Sequence, residues 1–273
     1  MIPYEEVFMP AIKGLEWTFD TVASNYEKMR PGYVDELYQT IFRYIPIDEN
    51  SNVVEVGSGA GQATAPLLKT GCRLTAVEYG EKFSQLLKAK FKEYPKFSVI
   101  TGKYEEIELE NDYYNLVYSA SAFHWIPEKA GYEKVFSMLK RGGAFARFAN
   151  HPYRCKNDPA LSEEIDDLYD EYYNKFYNKK REALTEYTEE QAKERAMIAG
   201  KYGFTDIRYA LFYRQRVFSA KEYTELLGTY SEHVALEETV RTIFFSKIEE
   251  AINKHGGHIT IYDTIDLQLA RKG

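Results

Sequence analysis

The chain has 273 residues, 44% of them hydrophobic, enough to bury a full core as one domain with an insertion. Its net charge of −7 argues against nucleic acid as the main partner, because a phosphate backbone is held by clustered Lys and Arg. Two cysteines, Cys72 and Cys155, cannot build a disulfide framework and lack metal-ligand spacing, so a reduced, cytoplasmic setting is expected.

The first residues carry no basic leader, and no run of about 18 apolar residues occurs, so a soluble protein is expected. A first helix is predicted over Phe19 to Met29. Val34, Leu37, Tyr38, Ile41, Phe42 and Ile45 then recur at helical spacing, and Pro46 stops that helix. Strands at 52–56, 72–78, 96–100, 114–119 and 144–149 alternate with helices at 62–69, 81–91 and 127–140. This order predicts an α/β fold with a doubly wound, mostly parallel sheet and helices on both faces. The connection between 100 and 114 is short and polar, leaving room for only a vestigial helix.

After Asn150 the composition turns charged and tyrosine-rich. Leu161, Ile165, Leu168, Tyr169 and Tyr172 keep helical spacing, so 151–205 reads as an α-helical insertion. The 24 tyrosines are expected mainly as adaptable packing residues with their hydroxyls at the surface. Strand alternation returns from Ile207 to Phe218, and Ser219 with Glu222 forms a capping box that opens another helix. Val240, Ile243, Phe244 and Ile248 mark one more, ended by Gly256 and Gly257. Ile259, Ile261, Ile265, Leu267 and Leu269 share one parity in the tail, interrupted by Asp263, and predict a last strand. The expected domains are 1–150, holding N-terminal helices and a ligand-binding core; 151–205, the insertion; and 206–273, completing the same sheet.

The most informative stretch is Val53-Val54-Glu55-Val56-Gly57-Ser58-Gly59-Ala60-Gly61. A β-branched run enters a glycine turn, and Gln62 to Leu68 can continue as a helix with Pro66 in its first turn. The next strand ends in Glu78, the place from which a carboxylate reaches a ribose diol in a doubly wound sheet. The glycine spacing differs from the Gly-x-Gly-x-x-Gly of nicotinamide enzymes, and Glu55 precedes the turn by two residues.

Here the sequence resembles the class I S-adenosylmethionine-dependent methyltransferases. The resemblance covers nearly the whole chain and implies a seven-stranded sheet, with the last strand antiparallel between its neighbours. It is closest to the small-molecule subgroup that includes trans-aconitate methyltransferase-like enzymes, sharing Tyr-x3-Arg-Pro at Tyr26 to Pro31 and the Phe-His-Trp run at Phe123 to Trp125. It implies that Gly57, Ser58 and Gly59 approach the cofactor and that Glu78 binds its ribose hydroxyls, beside Tyr79, while Glu55 supports the loop. It also implies adenine contacts from Lys103 or Tyr104, and close approach of the methionine part at Ser119 and Ala120. Arg30 is the candidate for the cofactor carboxylate, since a guanidinium pairs bidentately with one.

His124 is the candidate proton acceptor, on the methyl-acceptor side. His151, Arg147 and Arg154 are further candidates for contact with a small, partly apolar acceptor that presents an oxygen, either a carboxylate or a hydroxyl. The N-terminal helices and the insertion are expected to form a lid. The segment after the fourth strand lacks the Asn/Asp-Pro-Pro-aromatic pattern of base-amine methyltransferases, and Ser119 and Ser121 cannot supply the charge a hard cation needs, so no metal is expected. Two other readings compete: a nicotinamide-dependent oxidoreductase, and a cofactor-binding protein without turnover acting as a sensor or subunit.

Overall fold

A computed structural model describes residues 23–273. The expected helix at Phe19 to Met29 is present as α1 (Ala23–Met29); its residues 19–22, and the opening stretch read for a leader, lie outside the described residues. The first half continues with α2 (Asp35–Tyr44), β1 (Asn52–Val56), α3 (Thr64–Leu68), β2 (Arg73–Glu78), α4 (Glu81–Lys90), β3 (Phe97–Thr101), β4 (Tyr114–Ala120), α5 (Glu128–Met138) and β5 (Leu139–Arg154). The second half holds α6 (Pro159–Leu168), α7 (Lys175–Tyr177), α8 (Glu189–Met197), β6 (Phe204–Ser219), α9 (Ala220–Leu227), α10 (Ser231–Val234), α11 (Glu238–Lys254) and β7 (His258–Lys272). None of the described helices is long and apolar enough to cross a membrane.

The chain divides into two compact units. A sheet unit comprises 31–151, 186–214 and 264–273; a helical unit comprises 152–185 and 215–263 together with the described residues up to Arg30. The boundary expected at 150 lies within one residue of a unit boundary, whereas the one expected at 205 does not, because 152–185 falls in one unit and α8 in the other. Periodicity alone could not separate them, since helices of both units carry apolar stripes.

The seven strands run in the order β3-β2-β1-β4-β5-β7-β6. β1 pairs in parallel with β2, Val53 opposite Leu74, and with β4, Val53 opposite Leu116. Successive side chains of β1 point to opposite faces, so Val53 joins a core with Leu37, Ile41, Leu67 and Leu87, while Val54 joins another with Val117, Val135 and Phe145. Both faces are therefore covered, which is why β1 reads as a continuous apolar run broken only by Glu55. No helix forms between β3 and β4.

β7 holds the largest departure from the sequence reading. Alternation predicted one apolar face interrupted by Asp263, yet Asp263 through Ala270 are all buried. Asp263 is accommodated by a bidentate pair with Arg216 at 2.6 and 2.8 Å, and Asp266, on the opposite parity, is completely buried among polar partners.

In the helical unit, Asp158 caps α6 by accepting the Leu161 N–H, and Pro159 occupies the first turn, where its missing donor costs nothing. The expected Ser219–Glu222 capping box opens α9. Leu161, Ile165, Tyr173, Phe244, Ile248 and Ile261 form the core of this unit. His233 lies inside it, with Nε2 2.9 Å from the Tyr169 hydroxyl. Burial, aided by the charges of Arg30, Arg154 and Lys179, pulls the His233 pKa down to about 3.

An unfolded histidine titrates near 6.5, so the His233 contribution to stability is full above about pH 6.5 and is lost as pH falls toward 3. Thermal unfolding midpoints should therefore drop between about pH 7 and pH 5. His233→Gln should flatten that slope, and identical slopes in the two proteins would clear His233 of the effect.

Candidate cofactor and acceptor site

The glycine turn leaves β1 with Gly57, Gly59 and Gly61 at φ of 72°, 54° and 79°, all in the left-handed region that glycine reaches without strain. A Cβ on Gly57 would fall 2.3 Å from the Ala122 Cβ, so the turn packs directly against the loop after β4. Ser119 strengthens this junction by donating from Oγ to the Val56 carbonyl at 2.8 Å.

Glu78 ends β2 with its carboxylate across the turn: Oε2 accepts the Gly59 N–H at 2.7 Å and Oε1 the Gly80 N–H at 2.9 Å. Its backbone carbonyl accepts the Gly102 N–H at 2.9 Å, which draws the loop after β3 to the same edge. Glu55 is 1% exposed, and its Oε2 accepts the Thr64 hydroxyl at 2.6 Å. Burial pushes its pKa up to about 7, against the hydrogen bond from Thr64. Three buried polar atoms around the turn lack hydrogen-bond partners: Glu55 Oε1, Ser58 Oγ and Gln62 Nε2. Unsatisfied atoms at such a density mark a place shaped for a polar ligand.

The structure thus gathers Glu55, Gly57, Ser58, Gly59, Glu78, Ser119 and Ala120 at the carboxyl ends of β1, β2 and β4. Tyr79 follows as a half-exposed ring. Lys103 is exposed beside Glu106. Tyr104 departs from the expectation of an adenine contact: its ring is buried in the core, its hydroxyl is 3.3 Å from Met138 Sδ, and Lys134 lies over its face. Burying an aromatic there outweighed exposing it, and alternation could not reveal this in a loop residue.

Arg30 belongs to the helical unit, where Nε donates to Thr229 Oγ1 at 2.9 Å, Nη2 donates to the Thr229 carbonyl at 3.0 Å, and the guanidinium stacks 3.9 Å over Tyr230. Arg154 is also in that unit, paired with Asp166 and lying over Tyr169. Neither is among the residues that the sheet unit gathers at the turn.

The acceptor-side candidates of the sheet unit lie in the loop after β4 and along β5, where it pairs with the end of β4. Ser121, at φ 53°, accepts or donates at 2.8 Å with the Tyr33 hydroxyl, and its Oγ receives the Asn150 N–H at 3.4 Å. His124 is half-buried in a short 3-10 turn, Phe123–Trp125, with its ring tilted against Trp125. Arg147 donates to the Tyr132 hydroxyl at 3.2 Å and lies over the Phe123 ring. Burial, with Arg195 nearby, lowers its pKa.

His151 follows, with Nε2 2.9 Å from Asp266 Oδ1 and its ring stacked 3.6 Å from Tyr187. Burial alone would raise the Asp266 pKa, yet Arg195, His151 and Arg147 together hold it at about 2. Asp266, Tyr187 and Arg195 escaped the sequence reading; the available signal was an acid on an otherwise strongly apolar strand.

Comparisons with known proteins agree with this geometry. The family model described as a methyltransferase domain matches residues 53–143. An uncharacterized methyltransferase of Schizosaccharomyces pombe is 24% identical over 239 residues, 83% of this chain and 88% of that protein. Among solved structures, a putative type II methyltransferase from Anaeromyxobacter dehalogenans shares the fold with a TM-score of 0.57 and 17% identity, covering 89% of this chain and 97% of the other. A Haemonchus contortus phosphoethanolamine N-methyltransferase, solved with S-adenosylhomocysteine, matches with a TM-score of 0.54 and 16% identity; the match covers 93% of this chain but 57% of that one. The seven-stranded order, the glycine turn with its Glu78 partner and these relatives agree: the chain is a class I S-adenosylmethionine-dependent methyltransferase.

Proposed function

We propose that the sheet unit binds S-adenosylmethionine at the glycine turn and transfers its methyl group to a small-molecule acceptor, at an oxygen. The observation that carries the cofactor reading is the Glu78 carboxylate, set across a turn whose neighbours Glu55 Oε1, Ser58 Oγ and Gln62 Nε2 await partners. These residues fit the cofactor: Glu78 suits the ribose hydroxyls, and the glycines leave the space that a Cβ would fill. Bound there, the cofactor supplies an activated methyl group, so the protein needs chiefly to align an acceptor and exclude water.

His124, Trp125 and His151 offer an acceptor wall of aromatic faces and polar ends, with Arg147 lying over the buried Phe123 beside it, suited to a small, partly apolar molecule. The net charge of −7 favours such an acceptor over nucleic acid. Two buried thiols, Cys72 and Cys155, suit a reducing cytoplasm.

Calorimetric titration with S-adenosylmethionine tests the cofactor, and a screen for S-adenosylhomocysteine release with small acids, phenols and acyl thioesters tests the acceptor. His124→Ala should leave cofactor affinity nearly intact and lower turnover by less than the roughly 10²-fold that marks loss of a general base. A loss of cofactor affinity in that variant would move His124 out of the acceptor wall.

A further inference from the structure

We propose that His151, oriented by Asp266, is the proton acceptor of the methyl transfer, and that the acceptor therefore presents a protonated oxygen, a hydroxyl or phenol, rather than a carboxylate. This rests on the methyltransferase reading above and narrows it. A carboxylate acceptor is ionised near neutrality and has no proton to give up, so a base built into its site would have no work.

Three observations within the sheet unit carry the assignment. First, Asp266 faces His151 as a fixed anion: it is fully buried, and Oδ1 also accepts the Ala149 N–H at 3.0 Å. Its Oδ2 accepts from Gln268 Nε2 at 2.5 Å and Tyr187 at 3.3 Å and is paired with Arg195 at 3.4 Å, so the carboxylate cannot rotate away. A permanently ionised carboxylate 2.9 Å from Nε2 selects the tautomer that carries its proton on Nε2. The lone pair is then on Nδ1.

Second, the Tyr187 ring lies parallel to the imidazole, 3.6 Å away and within 7°, which fixes the ring plane. An imidazole held in one tautomer by a buried acid and in one plane by an aromatic face is the arrangement that general-base catalysis requires.

Third, the backbone leads directly from the glycine turn to the pair. Gly57 touches Ala122, Ser121 Oγ receives the Asn150 N–H, and His151 is the next residue. Among the described residues, Asp266 from β7 and Tyr187 from the segment before α8 face the imidazole, and Gln268 from β7, Arg147 from β5 and Arg195 from α8 surround Asp266.

In the step, the acceptor oxygen forms a bond to the methyl carbon as the methyl–sulfur bond breaks, and that bonding pair stays on sulfur as a neutral thioether. The hydroxyl proton passes to His151 Nδ1, and the resulting imidazolium is stabilised by Asp266, which stays ionised. Asp266 is thus a positioning residue.

The test uses the full chain labelled with 15N-histidine. Two-bond 1H–15N spectra without ligand should show the neutral His151 ring carrying its proton on Nε2, and Asp266→Asn should shift it toward the other tautomer. A wild-type ring protonated on Nδ1 would overturn the proposal. In turnover assays with phenols and hydroxy acids, His151→Gln should lose about 10²–10⁴-fold in kcat with KM little changed, and the rising limb of its pH profile should vanish.

His151→Gln should bind S-adenosylmethionine within about twofold of wild type by calorimetry. Unchanged kcat in this variant with cofactor binding intact would overturn the dyad and leave the methyltransferase reading standing. Absence of cofactor binding to the wild type would overturn that reading instead.

Discussion

Glu78→Ala is expected to weaken S-adenosylmethionine binding about 10²-fold or more, the largest loss from any single polar change in the cofactor cradle. A hydrogen bond to a charged group is worth roughly 1.5–3 kcal/mol, and a ribose diol offers two to this carboxylate. At about 1.4 kcal/mol per tenfold, two such bonds reach that range. The variant also frees the Gly59 and Gly80 N–H groups that Glu78 now holds, so some of the loss will come from a looser turn. Glu78→Gln separates the two effects in part, because its amide oxygen can still accept one of the two backbone N–H groups while the charge is gone. Calorimetry on folded protein reads the result, and wild-type affinity in Glu78→Ala would remove this residue from the site.

Gly57→Val should abolish cofactor binding and also destabilise the fold. Its φ of 72° is costly for any β-branched residue, about 1–3 kcal/mol, and its Cβ would overlap that of Ala122 at 2.3 Å, costing about 1–3 kcal/mol more. A few kcal/mol in a chain of this size lowers the unfolding midpoint by about 10 °C. Ala122→Gly, combined with Gly57→Ala, relieves the overlap but not the dihedral strain. Partial recovery of thermal stability in that double variant is the expected outcome. Complete recovery would show that packing alone demands the glycine.

The parallel half of the sheet was legible because its signals are local. Val53 to Val56 is buried on both faces, and its glycine turn sits at the one point where the chain must reverse against Ala122. Capping pairs such as Ser219 with Glu222 are equally local, since three residues decide whether both ends of the box can meet. Tyr104 was not legible, because its loop backbone has no period that tells a core ring from a pocket ring.

What the sequence determined by itself was the glycine turn and its acid. The strand, glycine turn and terminal acid lie within 26 residues, and the spacing from Gly59 to Glu78 already implies that the two meet, as they do at 2.7 Å. The His151–Asp266 pair was decided by tertiary structure alone. His151 and Asp266 are 115 positions apart, and Tyr187 and Arg195 come from a third segment. Only strand order, with β7 inserted beside β5, brings the acid to the histidine. Local patterning reports which face of an element is apolar; it carries no information about which distant strand will be its neighbour, and that neighbour supplies the hydrogen-bond partner of the histidine.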